Sequence, residues 1–212
     1  MERCPFLHFI RPLPGEELNI KNICVYCGSS AGKNPAYVQA AATLAQEMCA
    51  RNIGLVYGGA AVGIMGTVAD AVLEAGGQAI GVIPKSLAIK ELAHESLTEL
   101  HVVASMHDRK AMMAELADGF IALPGGWGTL EEIFEILTWA QLGFHDKPCG
   151  LLNVERYYDG LIGFLDNSFE QQFVSELYRP MLMTAAEPVS LLDQFAVYQA
   201  PKVRKWMTED EL

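Results

Sequence analysis

The run Gly119-Phe120-Ile121-Ala122-Leu123 is apolar throughout and is followed at once by Pro124-Gly125-Gly126-Trp127-Gly128-Thr129-Leu130-Glu131-Glu132. From Ile133 to Leu142 apolar residues then recur at helical spacing. A buried strand, a glycine loop and a helix, in that order, turn backbone N–H groups and the positive end of a helix dipole into one crevice. Such a crevice suits an anion, most often phosphate. The glycines at 125, 126 and 128 exceed what a tight turn needs, and the surplus predicts close approach of the backbone to a ligand. The carboxylate of Glu132 has two readings. Thr129-x-x-Glu132 has the spacing of a capping box, in which both side chains satisfy N–H groups at a helix start. Otherwise Glu132 stands beside a phosphate and works on something attached to it. Spacing alone leaves both open.

The strand-loop-helix pattern repeats along the chain. Strands are predicted over Asn22 to Tyr26, Ile53 to Tyr57, Ala79 to Ile83, Leu100 to Ala104, Gly119 to Leu123 and Gly150 to Asn153. Helices are predicted over Ala36 to Ala50, Met65 to Ala75, Asp108 to Ala117, Ile133 to Leu142 and Tyr158 to Phe173. This alternation predicts an α/β fold: a Rossmann-like, doubly wound parallel sheet in three layers. One domain is expected over residues 20–198, after an N-terminal extension at 1–19 and before a C-terminal tail at 199–212. Ligands of such sheets bind beyond the carboxyl ends of the strands. Those ends carry Cys27-Gly28-Ser29-Ser30, Tyr57-Gly58-Gly59, Pro84 and Pro124-Gly125-Gly126.

Composition narrows the partners. A chain of 212 residues, 51% hydrophobic and 19% charged, can bury a sizeable core and is not disordered. A net charge of −11 argues against a nucleic-acid backbone or an anionic membrane as partner, although a local pocket can still be positive. No apolar run reaches the length of a membrane span, and the start of the chain lacks a signal-peptide core, so a cytoplasmic location is expected. The five cysteines form an odd set. Cys24-x-x-Cys27 begins inside a predicted strand, whereas redox cysteines of this motif open a helix, and no second pair completes a zinc site. Buried thiols and no bound metal are the expectation.

Three glycine-rich or basic clusters bear on the ligand. Gly28-Ser29-Ser30-Ala31-Gly32-Lys33-Asn34 has one residue too few for a Walker A loop and ends in asparagine, which excludes a P-loop. A dinucleotide fingerprint starting at Gly126 meets Glu131 where its last glycine belongs. The second cluster, Gly58 to Gly66, again joins a strand to a helix, and serves either helix packing or ligand contact. With the Gly125 loop it would hold a mononucleotide, with Ser29, Ser30 and Thr67 as hydroxyl donors or as caps. The third cluster, Met106-His107-Asp108-Arg109-Lys110, lies near the same rim. Ser105 or Asp108 can cap the helix there, and adjacent basic residues usually form a solvated face. Beside an anion loop, however, Arg109 becomes a bidentate partner for phosphate or ribose.

Cys27-Gly28-Ser29-Ser30, Met106-His107-Asp108-Arg109-Lys110, Pro124 to Glu132 and Leu137-Thr138-Trp139-Ala140-Gln141-Leu142-Gly143 together resemble the LONELY GUY family, the cytokinin riboside monophosphate phosphoribohydrolases. The resemblance covers about residues 20–195. Some relatives were long labelled lysine decarboxylases, but no pyridoxal-phosphate lysine motif is present. The resemblance implies hydrolysis of the N-glycosidic bond in a purine nucleoside 5′-monophosphate, without a cofactor. It implies Arg109 and Glu132 as the catalytic pair. It also implies substrate contacts at Glu91, Lys110, the loop Gly126, Trp127, Gly128, Thr129, Leu130 and Glu131, and Thr138, to which the rim analysis adds Gly28, Ser29, Gly59 and Gly125. A homodimer is implied too. Trp127 departs from the family, where tyrosine is common. The alternatives are an AMP nucleosidase of salvage, and a non-catalytic nucleotide or molybdenum-cofactor carrier.

Overall fold

The computed structural model describes residues 18–88 and 93–201. Glu91, residues 1–17 of the expected extension and residues 202–212 of the expected tail lie outside the described residues. Seven strands form one parallel sheet: β1 (Asn22–Tyr26), β2 (Gly54–Tyr57), β3 (Ala79–Pro84), β4 (Glu99–Val103), β5 (Gly119–Ala122), β6 (Cys149–Leu152) and β7 (Leu182–Ala185). Between them run the helices α1 (Pro35–Ala50), α2 (Gly63–Glu74), the short α3 (Lys85–Leu87), α4 (Met106–Leu116), α5 (Trp127–Leu142) and α6 (Asp159–Glu170), and after β7 comes α7 (Pro188–Ala196). The strand order is β4-β3-β2-β1-β5-β6-β7.

The short apolar strands form because both their faces are covered. Along β1, Ile23 and Val25 pack with α1, α2 and α7, whereas Cys24 and Tyr26 pack with α4 and α5 on the opposite face. Alternation with period two therefore divides one strand between two cores. Each fully buried Ile, Val, Leu or Phe contributes about 1.5–3 kcal/mol relative to exposure. Cys24, Cys27 and Cys149 are buried free thiols within these cores, and burial pushes all three up from the ordinary thiol range.

The chain winds outward from β1 to β4, then returns to place β5 on the other side of β1. Cys24 thus lies level with Val56 on one side and Phe120 on the other. The loops after β1 and β5 diverge here, and this is where a doubly wound sheet opens a crevice.

Strand boundaries differ from the sequence expectation by about one residue, which is ordinary for strand ends. Larger differences have physical causes, and α5 shows one: it begins at Trp127, well before the expected Ile133, because the glycine loop runs directly into its first turn. The strand β7 was not predicted, because four residues directly after a 3-10 turn at Glu176–Met181 give too little periodicity. The helix α7 follows it and was missed as well. The predicted helix from Tyr158 to Phe173 runs only over Asp159–Glu170, since Gln172 adopts a left-handed φ of 62°.

Candidate active site

Helices begin at the carboxyl rim of the sheet after each strand, and four of them, α1, α2, α4 and α5, surround the crevice. Asn34 caps α1, its side chain accepting from Ala36 N at 3.0 Å, with Pro35 in the first helical position. Ser105 caps α4, accepting from Asp108 N at 3.1 Å. The N-cap positions of α2 and α5 are Val62 and Gly126, and neither makes a side-chain capping bond.

The capping-box reading of Thr129 and Glu132 fails on this geometry. The helix α5 starts at Trp127, so Thr129 is already its third residue, and Glu132 turns to another partner. That partner is Arg109 of α4. Its Nη1 donates to Glu132 Oε1 at 2.5 Å, and its Nε donates to the Val82 carbonyl of β3 at 3.2 Å. Both side chains are buried, at 8% exposure each. A Cβ on Gly58 would run into Arg109 Nη2, so the glycine after β2 makes room for the guanidinium. Burial pushes the Glu132 carboxyl above the usual carboxylate range, and Arg109, by charge and hydrogen bond, pulls it back only in part.

The alternative of a solvated face at Arg109 and Lys110 does not hold either, since both residues are buried. Lys110 is buried beside α5, where Nζ donates to Glu131 Oε1 at 2.6 Å and to Glu135 Oε1 at 2.9 Å. Burial alone would lower the Lys110 ammonium, but its hydrogen bonds to these two carboxylates outweigh that and hold it above the ordinary lysine range. Two ion-paired contacts thereby fix α4 against α5. Glu135 had not been singled out from the sequence, and its position one helical turn after Glu131 is the signal that could have found it.

The loops of the crevice fit closely. Gly28 N donates to the Pro124 carbonyl at 3.2 Å, and Ile64 N donates to the Gly28 carbonyl at 3.1 Å. A Cβ on Gly125 would collide with the Thr129 side chain and approach Gly28 N to 2.9 Å, whereas one on Gly63 would collide with the Ser29 backbone. Gly59, with φ 73°, packs under β3 and passes its carbonyl to His94 N at 2.9 Å. Gly125 and Gly59 are thus required by packing. Gly126 and Gly128 are not: neither has a left-handed φ, and nothing lies within 4 Å of where a Cβ would sit. Their missing side chains clear space in front of the first turn of α5.

The remaining expected residues lie apart from the pair. Trp127 opens α5 with 90% of its surface exposed. His107 is exposed. Thr67 donates back to the Gly63 carbonyl at 3.2 Å. Thr138 lies further along α5, where its hydroxyl donates to Phe134 O at 2.7 Å. It lines a groove of about 310 Å³ with Phe134, Leu137, Ile162, Leu165 and Phe169, between α5 and α6, so within one chain the fold does not bring it to Glu132. Among the described residues, no group of three His, Cys, Asp or Glu is placed to hold a metal, and no helix is long and apolar enough to cross a membrane.

The protein is of the α/β class, with an uncapped helix start and a buried Arg–Glu pair at the switch point of a parallel sheet, an arrangement chemically suited to an anion. The sequence model of the family described as "Possible lysine decarboxylase" matches residues 65–195. A cytokinin riboside 5′-monophosphate phosphoribohydrolase of Arabidopsis thaliana is 50% identical over 184 residues, covering 85% of this chain and 86% of its own. A second from the same plant is 52% identical over 177 residues, covering 82% of each. This chain belongs to that family, the LONELY GUY phosphoribohydrolases. Among solved structures, a molybdenum cofactor binding protein from Rippkaea orientalis shares the fold with a TM-score of 0.62 at 22% identity, over 82% of this chain and 93% of that one.

Proposed function

We propose that this protein hydrolyses the N-glycosidic bond of a purine nucleoside 5′-monophosphate carrying a cytokinin-type, N6-modified adenine, releasing the free base and ribose 5-phosphate. The observation that carries the reading is the buried Arg109–Glu132 pair at 2.5 Å, set beside an α5 start that no side chain caps. The 5′-phosphate rests on the N–H groups of Gly126, Trp127, Gly128 and Thr129, where the helix dipole favours negative charge. Binding energy gathered there, far from C1′, positions the ribose. As the glycosidic bond breaks, its electron pair leaves with the base and positive charge grows on the ribose. Glu132 stabilises that charge and orients or deprotonates the water whose oxygen bonds to C1′. The proton the water loses is made up on the departing base, which leaves neutral. Arg109 holds Glu132 in place and offsets the crowding of carboxylate and phosphate. Gly28, Ser29, Gly59, Gly125, Lys110, Glu131 and Glu91 complete the proposed contacts.

Two copies are proposed to pair through the groove between α5 and α6. The helix α6 buries none of its residues, and Phe164, Phe173 and Leu177 are exposed around it. Thr138, counted among the substrate contacts, lines the same groove, so pairing would place it at the edge of an assembled site. Phe164→Asp is expected to convert a dimer to a monomer in sedimentation equilibrium. A cytoplasmic location is proposed with it, in keeping with free thiols at Cys24, Cys27, Cys49 and Cys149.

The test is incubation of the purified protein with isopentenyladenosine monophosphate and with AMP, followed by chromatography of free base and ribose 5-phosphate. The expected result is release from both, with the higher kcat/KM for the prenylated nucleotide. A preference for AMP would move the reading to nucleotide salvage. Tight nucleotide binding without release would overturn it in favour of a carrier.

A further inference from the structure

Between β6 and α6 the chain turns through two successive left-handed residues, Glu155 at φ 50° and Arg156 at φ 60°. Neither is glycine, and such a conformation persists only where its surroundings hold it. Asn153 does so: its Oδ1 accepts from Tyr158 N at 2.7 Å, and its Nδ2 donates to Asp159 Oδ1 at 2.8 Å. Arg156 Nε donates to Asp159 Oδ2 at 2.6 Å. The turn delivers two adjacent phenols to the anion loop. Tyr157 Oη donates to the Gly125 carbonyl and Tyr158 Oη to the Leu123 carbonyl, each at 2.6 Å. With Gly28 N on the Pro124 carbonyl at 3.2 Å, three consecutive loop carbonyls each have a donor.

The consequence lies in the peptide plane. The carbonyl of Gly125 and the N–H of Gly126 belong to one rigid trans unit and point opposite ways. Fixing the first on Tyr157 therefore fixes the second toward the crevice. The unit is flanked by glycine on both sides, so without the tether it can flip at little cost and present an oxygen to an incoming phosphate. The ring of Tyr157 is itself held edge-on, by Tyr37 of α1 at 5.6 Å and by Tyr158 at 5.0 Å between centroids. One aromatic stack thus links α1 to the Gly125 loop.

We propose that Tyr157 is a positioning residue for the phosphate, setting the direction of the Gly126 N–H, and that Tyr158 anchors the base of the same loop. The proposal rests on the phosphoribohydrolase reading for the identity of the nucleotide, but the phosphate seat can be measured without turnover. Tyr157→Phe removes only the hydroxyl from a ring that is 44% exposed, so the fold is expected to survive. Wild type and Tyr157→Phe are compared by calorimetric titration with ribose 5-phosphate and with adenosine, and by kcat and KM on the nucleotide. Ribose 5-phosphate should bind about 3- to 10-fold more weakly, and nucleotide KM should rise by the same factor with kcat within about twofold. Adenosine binding should not change. Tyr158→Phe, at a buried site, should reproduce the pattern with a lower melting temperature. Unchanged ribose 5-phosphate binding in Tyr157→Phe overturns the proposal, as does a loss equally large for adenosine, which would mark general loosening. A wild type that binds ribose 5-phosphate but releases no base sinks the hydrolase reading alone. A wild type that does not bind it overturns both.

Discussion

The helices α4 and α5 begin side by side at the same rim and finish their first turns in opposite ways. Ser105 closes the start of α4 with its own hydroxyl, which also donates to Asp108 Oδ2 at 2.8 Å. At the equivalent position of α5 stands Gly126, with no side chain to offer. The closed start supplies side chains to the site, Arg109 and Lys110. The open start supplies backbone N–H groups and Glu132. On the proposed reading, a helix start that closes itself is scaffold, and one left open beside a buried ion pair receives the phosphate. The pairs α1 with Asn34 and α2 with Val62 repeat the contrast on the other face of the sheet.

The contrast can be broken most severely at the pair itself. Glu132→Gln should lower kcat by roughly 10²–10⁴, about 3–5 kcal/mol of barrier, while ribose 5-phosphate still binds. Near-normal turnover would reduce Glu132 to a structural partner of Arg109. The wild-type pH profile carries the same information. Because the Glu132 carboxyl lies above the usual range, it protonates earlier as pH falls, and kcat/KM should drop on an acid limb displaced upward from that of a free glutamate. That limb should vanish in the residual activity of Glu132→Gln.

Arg109→Met leaves Glu132 buried without its cation and should cost about 3–5 kcal/mol of stability in urea unfolding. A loss below about 1 kcal/mol would mean that water reaches the carboxylate.

Gly128→Ala sharpens the comparison, since it should separate stability from binding. Alanine in the second position of α5 meets no atom within 4 Å and gains up to about 1 kcal/mol of helix propensity. The melting temperature should hold or rise while nucleotide KM climbs about tenfold. An unchanged KM would show that the cleared space does not face the ligand.

The smallest effect is expected at the closed start. Ser105→Ala should cost about 1 kcal/mol of stability and leave kcat/KM unchanged. A large kinetic loss would show that the α4 cap belongs to the site.

Much of this was legible in the chain. Hydrophobic periodicity located six of the strands, and the glycine loop after β5 pointed to the anion crevice. The basic cluster after β4 and the carboxylate of Glu132, which falls in the second turn of α5, were both candidates before any geometry. What spacing could not decide was partnership. Thr129 and Glu132 fit a capping box as well as a catalytic role, and Arg109 and Lys110 fit a solvated face. Tyr158 read only as the start of a helix and Tyr157 fell in no expected element, because their partners lie more than thirty residues earlier.

The sequence by itself determined the local elements, since strand and helix periodicity, turn glycines and caps depend on near neighbours in the chain. Only the tertiary structure decided that Glu132 meets Arg109 and that Tyr157 holds Gly125. Only it showed that Gly126 and Gly128 face open space while Gly125 and Gly59 are demanded by packing. Those outcomes follow from the order in which strands pair and from what burial does to a charge, and both depend on residues distant in sequence.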